Sequence, residues 1–212
     1  VLTLNAGSGG SVSGEGTFDY GTNTSISANP DTGYHFDYWA GSGVTSTTEA
    51  STPVTMTADR NVSAIFALNE YTLTLSAGAG GSVTGDGNYT YGASASITAT
   101  ADSNYHFVSL TGAGVADAGS ASTTVTIDQN RSVTASFAID EHTLTVNTGT
   151  GGSVSGDGNF TYGTDASITA TPDTGHHFVT WTGAGTAVPS SDSTTVSMTA
   201  DRNVPASFSH VY

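Results

Sequence analysis

A segment of 71 residues occurs three times in this chain, and no gap is needed to superpose the copies. Gly14 to Gly41, Gly85 to Gly112 and Gly156 to Gly183 carry the same order of glycines, aromatics and alternating Ser/Thr with aliphatics. Tyr20, Tyr91 and Tyr162 coincide, as do Phe36, Phe107 and Phe178. A strict internal period outranks the usual relation between length and domain number. The 212 residues are therefore expected to form three domains, 1–69, 70–140 and 141–212. Each is near the lower size at which one hydrophobic core holds a fold, so contacts between neighbouring repeats are expected to add stability. The function must be one that a tandem array of small, near-identical units performs.

Each repeat opens on an alternating stretch, Leu2-Thr-Leu4, Leu73-Thr-Leu75 or Leu144-Thr-Val146, which is the pattern of a half-buried strand. Ala77 to Gly85 is rich in glycine and reads as a bend or bulge anchored by Val83. Gly85-Asp-Gly-Asn88 and Gly156-Asp-Gly-Asn159 predict a tight hairpin, with Gly14-Glu-Gly16 a weaker version. Ser167 to Thr171 alternates again. Pro30-Asp-Thr-Gly33 and Pro172-Asp-Thr-Gly175 are turn sequences, and Ala101-Asp-Ser-Asn104 preserves the turn because Asn tolerates the left-handed region. In His35 to Trp39 and His177 to Trp181 the large apolar residues stand three apart, which predicts a bulge. The variable stretch Ser42 to Thr52 predicts a surface loop. A last hairpin is expected from Val54–Met56 to Val62–Phe66 and its copies, and Pro205 suggests a free edge there. No stretch has helical periodicity, and the Ser/Thr/Gly composition opposes helix.

Charge narrows the function classes. The chain has 18 Asp and Glu against three Arg and no Lys, a net charge of −15. Nucleic-acid binding needs a basic surface and is excluded. Docking on an anionic membrane face is disfavoured for the same reason. No apolar run is long enough to cross a bilayer as a helix, so membrane insertion is not expected. Cysteine is absent, which removes disulfides and thiol chemistry. No signal peptide is visible, and both ends read as cut from a longer array.

Candidate sites divide by chemistry. Arg60, Arg131 and Arg202 share one repeat position and suit either a carboxylate- or sulfate-binding point or an arginine that ties down its own turn. His35, His106 and His177 also coincide. His176 and His177 point to opposite faces of a strand, and no cluster has zinc spacing. Calcium suits the acidic turns better, with Asp31, Asp102 and Asp173 at the repeated turn and Asp59 and Asp201 in others. Such aspartates also cap backbone amides, so no cofactor other than calcium is expected. Tyr34, Tyr38, Tyr105 and His176, with Trp39 and Trp181, form the candidate ligand-binding set for a glycan. Leu110 in the tryptophan position favours a core slot instead. Tyr20, Phe36, Trp39, Arg60 and Phe66 are read as structural anchors. Their copies are Tyr91, Phe107, Arg131 and Phe137, then Tyr162, Phe178, Trp181, Arg202 and Phe208. No Gly-x-Ser-x-Gly or Gly-x-Gly-x-x-Gly motif occurs, and catalytic residues are not expected.

The ordered set Tyr-Thr-Leu-Thr-Leu, Gly-Gly-Ser-Val, Tyr-Gly, Ser-Ile-Thr-Ala-Thr, His-Phe, Trp-x-Gly and Asp-Arg-Asn-Val-x-Ala-x-Phe resembles the divergent InlB B-repeat family, over essentially every residue of all three repeats. The resemblance implies a bacterial, extracellular or cell-surface β-rich module without catalytic activity, and related repeats have a β-grasp-like fold. The expected fold class is all-β: three tandem small antiparallel domains, sandwich-like or β-grasp-like without a clear helix, in an elongated array. Only six residues separate Phe66 from Leu73, and Phe137 from Leu144, so semi-rigid joints are expected. The expected function is a structural or adhesion repeat in a stalk. A carbohydrate-binding accessory module of a polysaccharide-active enzyme and a subunit of a self-assembling fibre are the alternatives. Expected partners are adjacent repeats of the same chain, then glycans or host and cell-surface molecules.

Overall fold

The computed structural model describes all residues from Val1 to Tyr212. It contains strands and no helix. The first repeat holds β1 (Leu2–Ala6), β2 (Gly10–Ser13), β3 (Thr22–Pro30), β4 (Tyr34–Ala40), β5 (Ser51–Met56) and β6 (Arg60–Leu68). The second holds β7 (Glu70–Ala77), β8 (Gly81–Thr84), β9 (Gly87–Thr90), β10 (Ala93–Ala101), β11 (Tyr105–Thr111), β12 (Ser122–Ile127) and β13 (Arg131–Ile139). The third holds β14 (Glu141–Thr148), β15 (Gly152–Ser155), β16 (Gly158–Thr161), β17 (Asp165–Pro172), β18 (His176–Trp181), β19 (Ser193–Ser197) and β20 (Arg202–His210).

The third repeat shows the topology in full. One sheet runs β16-β14-β20-β18 and the other β15-β17-β19. Within this repeat the chain therefore changes sheet at every turn, and no two consecutive strands pair with each other. The two sheets face one another across a core to which Leu144, Trp181, Val204 and Ala206 contribute from one side and Ala166, Ile168, Ala170, Val196 and Met198 from the other. The first repeat repeats this core with Leu2, Leu4, Trp39, Val62 and Ala64 against Ile26, Ala28, Val54 and Met56. Pairing is mixed: β14 runs parallel to β20, β1 to β6 and β7 to β13, whereas the other pairs are antiparallel.

Three expectations need correction. Gly156-Asp-Gly-Asn159 turns the chain sharply, with positive φ at Gly156 and Gly158. It is a crossover and not a hairpin, because β15 pairs with β17 and β16 with β14. The step from β5 to β6 is likewise a crossover, since β5 pairs with β3 and β6 with β1 and β4. A tight-turn sequence reverses the chain but does not dictate whether the strands it joins share a ladder. Pro205 lies in a central strand, between β14 and β18. It is tolerated because pairing with β18 ends there: the Thr182 N–H still donates to the Pro205 carbonyl at 2.9 Å, and only the return bond is lost.

Other expectations hold. The register of β4 on β6 shifts between Phe36 and Tyr38, and that of β18 on β20 between Phe178 and Thr180, the predicted bulges. The repeated turn has positive φ at Gly33, Asn104 and Gly175, and Asn104 is the sole non-glycine residue so placed. The variable loop crosses the sandwich and fixes the tryptophan: Trp39 Nε1 donates to the Glu49 carbonyl at 3.0 Å and Trp181 Nε1 to Ser191 at 2.9 Å.

By contact density the chain forms two compact units. One is Val1–Ala77 with Val83–Ala99 and Ser109–Ala135; the other is Gly78–Ser82 with Thr100–Val108 and Ser136–Tyr212. Both junctions between repeats, at Asn69 and Asp140, fall inside a unit.

Candidate functional site

The aromatics proposed for ligand binding are largely engaged by the backbone. Gly9 and Gly10 form a pair without side chains on which two rings rest: a Cβ on Gly9 would overlap Tyr34, and one on Gly10 would overlap Phe66. Gly80 and Gly81 receive Tyr105 and Phe137 in the same way, and Gly151 and Gly152 receive His176 and Phe208. Phe66 also meets Phe36 edge to face at 6.2 Å, and Phe208 meets Phe178 at 6.0 Å. The Gly-Gly pair is thus an aromatic seat. Its role was not read from the sequence, although a glycine pair and an aromatic recurring at fixed spacing is the signal. Tyr38 alone of that set is exposed, at 44%. Asp37 is exposed beside it, and Val108 and Val179 are exposed at the same position of the other two repeats.

The junctions between repeats are more closely built. Asn69 is the single residue between β6 and β7. Its N–H donates to the Gly33 carbonyl at 2.8 Å, and its own carbonyl accepts from the Tyr91 N–H at 2.8 Å. One peptide is therefore held by the repeat before it and the repeat after it. At the second junction the Asp140 N–H reaches Asn104, and Tyr162 reaches Asp140, both at 2.8 Å. The side chains follow: His35 Nδ1 lies 3.0 Å from Asn69 Oδ1, and His106 Nδ1 2.9 Å from Asp140 Oδ1. The Tyr91 ring covers Gly33, where any side chain would collide with it. Tyr91 and Tyr162, given above as structural anchors, stand at the junctions; Tyr20, at the same repeat position, is 85% exposed. Tyr71 packs on Tyr91 with ring centres 6.5 Å apart, and His142 on Tyr162 at 6.1 Å. His142 also lies 3.4 Å from Asp201.

The arginines tie down their turns. Arg60 donates to Ser42 Oγ at 2.9 Å and Thr57 Oγ1 at 2.7 Å. Arg202 donates to Thr199 Oγ1 at 2.8 Å, and Arg131 pairs with Asp128. The Arg131 side chain is 12% exposed, which leaves little of its guanidinium for a ligand. Asp31, Asp102 and Asp173 start the repeated turn, where their carbonyls accept from Tyr34, Tyr105 and His176. No group of three or more His, Cys, Asp or Glu side chains converges into a metal cage. A shallow hollow of about 170 Å³ is lined by Val1, Phe18, Tyr20, Met56, Ala58 and Asp59. Small-molecule sites usually run to about 300 Å³ or more. Tyr71 and His142 follow one 71-residue step apart, each packed on the tyrosine that corresponds to Tyr20.

The family comparison rests on this same periodicity. The model of the divergent InlB B-repeat domain matches three times, over residues 1–70, 71–141 and 142–212. No curated protein matches the chain. Proteins carrying such repeats are usually bacterial surface or secreted proteins, and the repeats themselves are typically non-enzymatic. With every residue of its length matched, the chain belongs to the divergent InlB B-repeat family, as three tandem copies of that domain.

Proposed function

We propose that the chain is a non-enzymatic spacer from the stalk of a bacterial cell-surface or secreted protein, whose work is to hold other parts of that protein at a distance. The observation that carries this reading is the junction peptide. With one residue between strands, bonded on both sides, a junction cannot swing as a flexible tether does. The acidic composition serves solubility, since a net charge of −15 keeps one molecule from associating with another.

Small-angle scattering of the full chain tests the proposal. A compact globule of this length would have a radius of gyration of roughly 17 Å. The expected result is a value well above that, unchanged between low and high salt. A radius near the globular value would contradict a spacer.

A further inference from the structure

We propose that His176 and His210 form a two-histidine clamp for a divalent transition ion of the zinc, nickel and copper group. The two residues stand directly opposite one another on β18 and β20. Their ring centres are 5.0 Å apart, with the planes inclined at 72°. A tetrahedral ion about 2.0–2.1 Å from one nitrogen of each of two imidazoles sets the ring centres roughly 5 Å apart. The two rings therefore already stand at the separation that a shared ion requires.

Three further observations support the clamp. His210 Nδ1 donates to the Val211 carbonyl at 2.9 Å, which fixes its tautomer and leaves Nε2 with a free lone pair. Metal-binding histidines are held by this kind of bond from the other ring nitrogen. His176 Nδ1 is buried and has no hydrogen-bond partner. Lastly, both positions differ from the other repeats together. The first repeat has Tyr34 opposite Leu68, and the second has Tyr105 and Ile139 at the corresponding positions. A tyrosine–aliphatic pair has become a pair of imidazoles in the third repeat only. Imidazole suits zinc, copper and nickel over calcium or magnesium. No third protein ligand converges, so water completes the coordination and the ion remains exchangeable.

Titration of the full chain with zinc chloride at pH 7.5, followed by calorimetry and by the histidine side-chain NMR signals, tests the clamp. One equivalent is expected to bind, with the His176 and His210 signals shifting. The double variant H176Y/H210L installs the pair that the first repeat already carries, so its fold is secured, and it should weaken binding at least tenfold. The single variant H177N, on the opposite face of the same strand, should bind as the parent does. Absence of one-to-one binding, or equal binding by H176Y/H210L, would overturn the proposal.

Discussion

At the residue scale, glycine does two different jobs in this chain, and substitution separates them. Gly81 has ordinary φ and serves as a seat for Phe137, so an added Cβ meets the ring. Gly92 has φ of +80° with nothing within 4 Å of where its Cβ would be. Gly81→Ala should cost about 1–3 kcal/mol by overpacking, and Gly92→Ala about 1–2 kcal/mol from backbone strain. The two are told apart by asparagine. Gly92→Asn should recover most of the loss, since asparagine tolerates positive φ, whereas Gly81→Asn should be worse than Gly81→Ala. Urea midpoints of the four variants decide this, and recovery by asparagine at Gly81 would refute the seat. Turn glycines were legible because Pro-Asp-Thr-Gly and Gly-Asp-Gly are local signals. The seats were not, because the ring that needs Gly9 arrives from Tyr34, on a strand of the other sheet.

At the element scale, strand identity came from alternation, and strand partnership did not. Leu2-Thr-Leu4, Ser167 to Thr171 and the Phe36–Trp39 bulge were readable, because inward and outward faces are written into neighbouring residues. Which strands pair is fixed by where the chain crosses the core. In the third repeat, alternation between sheets at every turn makes each ladder non-local, so hairpin signals such as Gly156-Asp-Gly-Asn159 misled. Pro205 misled for a related reason: a missing N–H implies an end to pairing, and that end lies at the last rung with β18 rather than along a free edge. The junctions belong to this scale. The amide protons of Asn69, Tyr91, Asp140 and Tyr162 all end in hydrogen bonds that hold adjacent repeats. Native-state hydrogen exchange should therefore find them protected to a degree comparable with strand amides such as Val62 and Val133. Exchange at the rate of an open loop would show that the repeats part at these points.

At the scale of the whole molecule, the family model matches three repeats, and their short connections bear on how freely they move. The short spacing from Phe66 to Leu73 was visible in the sequence, but the identity of the pinned peptide was not, since Asn69 and Asp140 are unremarkable until their carbonyl partners are placed. The candidate site was legible to a similar extent. His176 was marked, but His210 carries no local signal and joins it only through the β18–β20 register. The central claim is that the junctions restrict motion between repeats. The absence of cysteine lets spin labels be placed without background, at Ser103→Cys and Ser190→Cys, exposed positions of the second and third repeats within one compact unit, on either side of the Asp140 junction. Pulsed electron–electron resonance between the two labels should give one narrow distance distribution, unchanged on raising the salt concentration. A broad distribution, or one that contracts as charge is screened, would contradict the account.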